Sequence, residues 1–148
     1  SQALGIGRAA LEHATGYALE REQFGRPIAE LGAIQEKLAV MTARVAGARA
    51  LTWDVGREIE DARRNVGEGV RDGPDGIRAR SALAKLTASE AAMWVTDEAV
   101  QIFGGYGYMR DYPVEKLMRD AKGTEIYEGT SEVLRHVVAR EVVRAARG

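Results

Sequence analysis

The chain of 148 residues has no cysteine and only two histidines, His13 and His136. Without cysteine it cannot have a disulfide framework, a cysteine-ligated metal or a thiol nucleophile. The two histidines stand far apart, with no metal-ligand spacing around them, so the sequence predicts no metal site. An excess of either charge is also missing, because 21 basic side chains are balanced by 22 acidic ones. This balance argues against nucleic acid or an anionic membrane as a partner.

Long apolar runs are missing as well. No segment approaches the roughly 18 consecutive apolar residues that a membrane-spanning helix needs, and we recognise no signal peptide. We therefore expect no membrane partner and a cytoplasmic location. The length is sufficient for one domain with a sizeable core. Because a helical pattern begins almost at Ser1, which stands where an initiator methionine would, we expect the chain to be part of a longer protein.

Apolar residues recur at three- and four-residue steps through most of the chain, which is typical of helices that bury one face. No segment alternates convincingly with the period of two that a strand shows. A stretch rich in Gly and Asp at 65–76 predicts a loop. We predict an all-α fold, an antiparallel up-down four-helix bundle with a short extra helix. The long helices are predicted at about Gln2–Glu22, Ala33–Asn65, Ile77–Phe103 and Ser131–Ala146, and the short one at Pro113–Ala121.

Two of these helices carry more specific signals. In the first, Gly5, Gly7 and Gly16 weaken the isolated helix, and we expect them to let another backbone approach closely. In the second, the apolar positions alternate steps of four and three, which predicts a seam for antiparallel packing. The seam residues are Ile34, Leu38, Met41, Val45, Ala48, Thr52, Val55 and Ile59.

The segment 101–132 contains the strongest candidate for a functional site. Glycines break the end of an apolar helix, and the segment closes on Glu128 just before the last helix. A carboxylate in a turn before a helix N-terminus is a candidate base with oriented amides beside it. A solvated loop glutamate is the alternative. Thr130 is a plausible N-cap of the last helix, and its hydroxyl could equally face a phosphate.

Two more polar residues have both a functional and a structural interpretation. Arg21, at a helix end beside Phe24, could bind a phosphate, or it could pair with Glu20 or Glu22. Gln101, in an apolar helix end, could read an adenine or phosphate, or it could bind free backbone groups. The glycines that follow it are not the phosphate loop of a dinucleotide fold, because a helix and not a strand precedes them.

Three long segments carry a resemblance to a known family. They are Tyr17–Ile28 (YALEREQFGRPI), Val100–Lys122 (VQIFGGYGYMRDYPVEKLMRDAK) and Ile126–Glu141 (IYEGTSEVLRHVVARE). Together they closely resemble the C-terminal helical domain of the FAD-dependent acyl-CoA dehydrogenases, in the same order and over essentially the whole chain. The resemblance implies that residues 1–148 form this single domain, without the N-terminal helical and middle β domains of the family.

The resemblance also implies a reaction. The family removes two hydrogens from an acyl-CoA thioester and forms the trans-2-enoyl-CoA. Glu128 would abstract the α proton, while the flavin accepts the β hydrogen as hydride. The Glu128 backbone N–H would hydrogen-bond the thioester oxygen. Tyr127 and Gly129 would contact the acyl-CoA substrate, and an electron-transfer flavoprotein or an equivalent acceptor would take the electrons.

The cofactor implied by the resemblance is FAD, held between subunits of a homo-oligomer, either a dimer or a tetramer. Thr130 and Glu132 would contact the FAD of their own subunit. The neighbouring subunit's FAD would be contacted by Arg21 at the pyrophosphate, by Gln23 and Phe24, and near its ADP moiety by Gln101, Gly104 and Gly105.

Other functions stay open beside this one. The protein could be a related flavin oxidase or a dehydrogenase of a non-fatty acyl-CoA. The chain in isolation could be an inactive helical assembly module. We expect the isolated chain to fold, to bind FAD weakly and to show no turnover.

Overall fold

The computed structural model of the chain describes residues 2–64 and 76–147. Five α-helices account for most of these residues, which confirms the all-α prediction. The helices are α1 (Gln2–Glu20), α2 (Gly32–Arg64), α3 (Ile77–Phe103), α4 (Pro113–Thr124) and α5 (Ser131–Ala146). The remaining elements are two strands, β1 (Glu22–Gln23) and β2 (Arg26–Pro27), and two 3₁₀ helices, Ile28–Glu30 and Gly104–Tyr108.

The core lies around α3, which packs against each of the other four α-helices. Helix α2 buries Met41, Ala48 and Val55, which stand seven residues apart, so the predicted seam is confirmed at its centre. Helix α3 buries mainly alanines along its length, and small side chains let neighbouring helices come close on several sides. Helix α5 packs mainly against α3. The antiparallel up-down arrangement of four helices therefore stays a prediction.

Glycine has a packing role at one of the three predicted positions in α1. A Cβ added to Gly7 would lie 3.4 Å from Cα of Ala92 on α3, so the two helix backbones are close there. At Gly5 and Gly16 an added Cβ would meet no atom within 4 Å in the described chain. The expected close approach is therefore confirmed for Gly7 and wrong for the other two within this chain.

The region after α1 differs from the prediction. Helix α1 ends at Glu20, two residues early, and the prediction of no strands is wrong here because β1 and β2 form a short antiparallel hairpin. The hairpin turn places Phe24 and Gly25 in the left-handed region, with φ angles of 55° and 77°. The predicted loop at 65–76 lies outside the described residues except for Gly76, the N-cap of α3.

The glycine break after α3 is confirmed. Gly104, with φ of 61°, ends the helix, and the following 3₁₀ turn folds back on α3. A Cβ on Gly107 would lie 2.5 Å from the carbonyl oxygen of Val100, so only glycine fits at this contact. Helix α4 then begins at Pro113, as predicted, and ends three residues later than predicted, at Thr124. None of the helices in the described ranges combines the length and the apolar character needed to cross a membrane.

Candidate functional site

Glu128 lies at the edge of a cleft with a volume of about 420 Å³, which we call the Glu128 cleft. The start of α1, the second half of α2, the first half of α3 and the turn between α4 and α5 surround it. Most of its lining is small or apolar, and includes Ala84, Ala88, Val55 and Ile59. The Glu128 side chain is exposed, as the alternative of a solvated loop glutamate expects. It also borders a largely apolar cleft, which that alternative does not explain.

The backbone at Glu128 is in an uncommon conformation. Its φ of 53° is left-handed, and Gly129 follows with a φ of 96°. Among the described residues, Phe24 is the one other non-glycine with a positive φ. A left-handed conformation costs a residue with a Cβ about 1–2 kcal/mol. Such residues persist where surrounding contacts hold them, and they concentrate at functional sites.

Hydrogen bonds hold both ends of this turn. On the α4 side, the Tyr127 backbone N–H donates to the carbonyl oxygen of Gly123 at 3.2 Å. On the α5 side, the Ser131 N–H donates to the carbonyl oxygen of Glu125 at 3.0 Å. The Tyr127 hydroxyl donates to Oε1 of Gln2 at 2.7 Å, which ties the turn to the start of α1.

A lysine on α3 holds the middle of the turn. Lys85 Nζ donates to the carbonyl oxygen of Gly129 at 2.7 Å, across 44 residues of sequence. Within the part of the chain that the structure describes, the backbone N–H of Glu128 has no hydrogen-bond acceptor. This N–H is therefore available to the oxygen of a ligand in the same turn that carries the carboxylate.

Thr130 and Glu132 organise the start of α5. The Thr130 hydroxyl oxygen accepts a bond from the Val133 N–H at 3.4 Å, which confirms the N-cap interpretation of Thr130. The Glu132 carboxylate accepts from its own backbone N–H and from the Thr130 hydroxyl, and these bonds lower the pKa of Glu132. Both residues are thus accounted for by local structure, and a contact of either one with a cofactor stays a prediction.

A second cavity, of about 560 Å³, brings together four of the predicted cofactor residues: Arg21, Gln23, Gly104 and Gly105. We call it the Arg21 groove. Within the described residues, Arg21 forms no ion pair with Glu20 or Glu22, so that alternative for Arg21 is wrong here. Instead its guanidinium lies 5.9 Å from the ring centroid of Tyr106.

Aromatic rings form the base of the Arg21 groove. Tyr17 stacks on Phe103 with a centroid distance of 4.1 Å, and burial raises the pKa of Tyr17. At Gly104 and Gly105 an added Cβ would meet nothing within 4 Å. The groove thus combines a flat apolar base, exposed glycine backbone and a cation that has no carboxylate partner in the described ranges.

Two of the six residues predicted to contact the neighbouring subunit's FAD do not line the groove. Phe24 lies at the hairpin tip with 88% of its surface exposed, and Gln101 is exposed on the last turn of α3. The groove and the Glu128 cleft lie toward opposite ends of α1. Ala3 lines the cleft and Tyr17 lines the groove, and fourteen residues of helix place them about 21 Å apart.

Sequence reasoning missed Lys85 and Tyr17 as site residues. Tyr17 lies inside the YALEREQFGRPI segment, but its ring was not distinguished from ordinary helix packing. Lys85 carried a usable signal, because it is a cation on a helix face that is otherwise rich in alanine. A charged residue in such surroundings needs a partner.

Comparisons with known proteins agree with the geometry. Residues 1–143 match the family model described as "Acyl-CoA dehydrogenase, C-terminal domain". An acyl-CoA dehydrogenase of Bacillus subtilis (strain 168) is 47% identical over 140 residues, 95% of this chain and 34% of that protein. The chain therefore spans about a third of the length of this relative.

Solved structures show the same fold. The structure of butyryl-CoA dehydrogenase from Megasphaera elsdenii matches with a TM-score of 0.86 and 43% identity, covering 97% of this chain and 34% of that one. An acyl-CoA dehydrogenase from Bacillus anthracis, complexed with FAD, matches with a TM-score of 0.85 and 31% identity, over 98% and 26% of the two chains. The chain belongs to the acyl-CoA dehydrogenase family, and it matches the C-terminal domain of that family.

Proposed function

We propose that residues 1–148 are the C-terminal helical domain of an FAD-dependent acyl-CoA dehydrogenase. The whole protein would convert an acyl-CoA thioester to the trans-2-enoyl-CoA, with N-terminal helical and middle β domains supplied outside this chain. The observation that carries the proposal is the position of Glu128, in a left-handed turn beside an apolar cleft. The match of residues 1–143 to the C-terminal domain of acyl-CoA dehydrogenases independently supports the same reaction.

In this function the Glu128 carboxylate removes the α proton of the thioester. Removing that proton leaves negative charge on the thioester oxygen, and the Glu128 N–H, which has no acceptor among the described residues, can donate to that oxygen. Carboxylate and N–H belong to one residue, so the turn that positions the base also positions the oxyanion donor. Tyr127 and Gly129 flank this residue and would contact the substrate.

The Arg21 groove has the chemistry that the adenosine diphosphate part of FAD requires. Arg21, which forms no ion pair within residues 2–64 and 76–147, offers its guanidinium for a phosphate, and Gly104 and Gly105 allow a ligand to approach the backbone. When bound, the flavin supplies an acceptor for the β hydrogen. Phe24, Gln23 and Gln101 would complete the contact.

The placement of the two cavities supports a division between subunits. They lie about 21 Å apart along α1. We therefore propose that the Arg21 groove serves the FAD of a neighbouring subunit in a dimer or tetramer. Thr130 and Glu132 would serve the FAD beside their own Glu128.

We further propose an electron-transfer flavoprotein as acceptor and the cytoplasm as compartment.

The test uses the full-length protein that contains this chain. We expect it to retain FAD through gel filtration and to reduce an artificial dye when an acyl-CoA is added. Oxygen consumption in place of dye reduction would identify the flavin oxidase alternative, and a panel of acyl-CoAs would separate fatty from non-fatty substrates. Full-length protein that retains no flavin and responds to no acyl-CoA would overturn the proposal.

The isolated chain provides the second half of the test. We expect weak FAD binding and no turnover, because the domains that enclose the flavin lie elsewhere. Titration with FAD and acyl-CoA, together with the particle mass, measures this directly. Tight FAD binding with acyl-CoA-dependent dye reduction by this chain alone would show that the additional domains are not needed.

A further inference from the structure

Among the hydrogen bonds of the described residues, the bond from Lys85 is the one that joins a side chain of α3 to the turn that carries Glu128. It lies half-buried between Ala84 and Ala88 and lines the Glu128 cleft. Its ammonium group donates to the carbonyl oxygen of Gly129 at 2.7 Å. This hydrogen bond involves a charged donor, so it is stronger than a bond between neutral groups.

The bond lies where the backbone most needs support. Glu128 and Gly129 are both left-handed, and the Gly129 carbonyl is the first acceptor after the strained residue. The other bonds of the turn are made at Gly123, at Glu125 and by the Tyr127 hydroxyl, and within the described residues none of them involves this central carbonyl. The Lys85 bond is therefore the one that links the centre of the turn to α3 in the described chain.

The other left-handed turn has no such contact. Phe24 and Gly25 lie between two short paired strands, and within the described residues no side chain binds their carbonyl oxygens. The left-handed conformation can thus exist in this chain without a side-chain donor. At Glu128, the Lys85 bond is therefore not needed for the left-handed conformation itself, and its effect is on the orientation of the turn.

We propose that Lys85 is a positioning residue for the Glu128 carboxylate and the Glu128 N–H. This inference rests on the proposed function. It acts through the Gly129 carbonyl, which it holds against α3, and it needs no contact with the substrate. Loss of the bond leaves the turn in place but lets the base and the oxyanion donor move relative to the cleft.

The test is Lys85→Met in the full-length flavoprotein. Methionine keeps an unbranched apolar stem and removes the donor. We expect kcat to fall about 10- to 100-fold, the size expected for a misplaced catalytic group. KM, FAD content and melting temperature should stay close to wild type, because the substrate, cofactor and core contacts remain. Lys85→Arg, which keeps a cationic donor, should recover part of the lost kcat.

Lys116→Met is the matched control, since Lys116 lies on the exposed side of α4 and pairs only with Asp120 in the described chain. It should leave kcat and KM unchanged. Hydrogen exchange measured by mass spectrometry gives a readout without substrate. Exchange in the segment 126–130 should rise in Lys85→Met and stay at the wild-type rate in Lys116→Met.

Each outcome decides the question. Active wild type with an equally active Lys85→Met variant would overturn the positioning role and leave the proposed function intact. A parallel fall in kcat, FAD content and melting temperature would also overturn it, because that pattern reports a structural role. Should Lys85→Met fail to fold, the same criteria apply to Lys85→Leu, which also has no hydrogen-bond donor. Inactive wild type would overturn the proposed function itself.

Discussion

The turns at Phe24-Gly25 and Glu128-Gly129 share positive φ angles but differ in what surrounds them. Each places a non-glycine residue with a φ near 55° directly before a glycine with a positive φ. Glu128 lies at the edge of a cleft, in a turn bound by side chains from α1 and α3. Phe24 projects from a two-residue hairpin with 88% of its surface exposed.

This difference shows how one local geometry can serve two tasks. A strained residue that its own chain holds from several sides is preorganised, which suits a base that must meet a substrate carbon. An exposed aromatic ring at a hairpin tip gains little from its own chain. It suits contact with another surface, in agreement with the proposed contact between Phe24 and a neighbour's FAD.

The largest expected effect is at the Glu128 turn. Glu128→Gln in the full-length protein removes the proposed base while keeping size and backbone, and turnover should fall about 10²- to 10⁴-fold with flavin still bound. Steady-state dye reduction and the flavin absorbance measure the two quantities. Glu36→Gln, an exposed position on α2, is the control and should be fully active. Unchanged activity in Glu128→Gln would show that another residue is the base, and the catalytic role proposed for this turn would be wrong.

A substitution in the Arg21 groove should instead lower FAD affinity and leave turnover nearly unchanged. Arg21→Met removes a charged hydrogen-bond donor, and FAD affinity should fall about 10- to 100-fold while turnover per bound flavin stays near wild type. Arg26→Met tests a cation of the same hairpin that does not line the groove, and it should change affinity little. Equal losses in both variants would mean that the hairpin contributes charge in general and not a specific contact.

The support beneath the groove can be tested by stability alone. Gly107→Ala places a Cβ 2.5 Å from the Val100 carbonyl oxygen, and overpacking of this kind costs about 1–3 kcal/mol. Urea denaturation measures the loss. Gly105→Ala is the control, because a Cβ there meets nothing within 4 Å. A neutral Gly107→Ala would show that the 3₁₀ turn moves freely and is less rigid than the Glu128 turn.

The two left-handed glycines compare the turns directly. Gly25→Ala and Gly129→Ala each force a Cβ into the left-handed region, at about 1–2 kcal/mol. The two losses should be similar, because the new Cβ of Gly129→Ala would lie 3.4 Å from Cδ2 of Leu134, an ordinary van der Waals contact, and that of Gly25→Ala would meet nothing within 4 Å in the described chain. Denaturation curves of the two variants measure both losses. A clearly larger loss in Gly129→Ala would show that the Glu128 turn tolerates an added side chain less well than the hairpin turn.

The smallest effect concerns Glu132, whose pKa is lowered by hydrogen bonds to its own N–H and to Thr130. A lowered folded-state pKa means that the ionised form stabilises the chain above the ordinary value of 4.5. That contribution is lost as the pH falls through the lowered value. Glu132→Gln should therefore melt slightly below wild type at pH 7, and the difference should shrink as the pH falls below 4.5. A melting difference that grows toward acid pH would contradict this sign.

Much of the fold could be predicted from the sequence, because helix periodicity is local. The seam of α2, the start of α4 at Pro113 and the cap at Thr130 each depend on residues within a few turns of one another. The error at the end of α1 has the opposite origin. The hairpin there depends on pairing of Glu22 with Pro27, which no periodic pattern indicates.

The candidate site likewise contains residues that the sequence could indicate and contacts between residues that it could not. Glu128 and Arg21 could be named because each lies in a continuous motif. The sequence could not indicate which candidates would meet: Arg21 joins Gly104 and Gly105 across about 80 residues, while Gln101 stays outside the groove. Lys85 was missed for the same reason, because its partner lies 44 residues away.

The sequence by itself determined five helices, a net charge of only −1 and the residues that can do chemistry. Only the tertiary structure decided that the carboxylate of Glu128 borders an apolar cleft, that its backbone is left-handed and that an ammonium group from α3 holds the next carbonyl. The physical reason is distance along the chain. Hydrogen bonds and apolar contacts within one helix follow from neighbouring residues, whereas contacts between helices depend on how every helix packs at once.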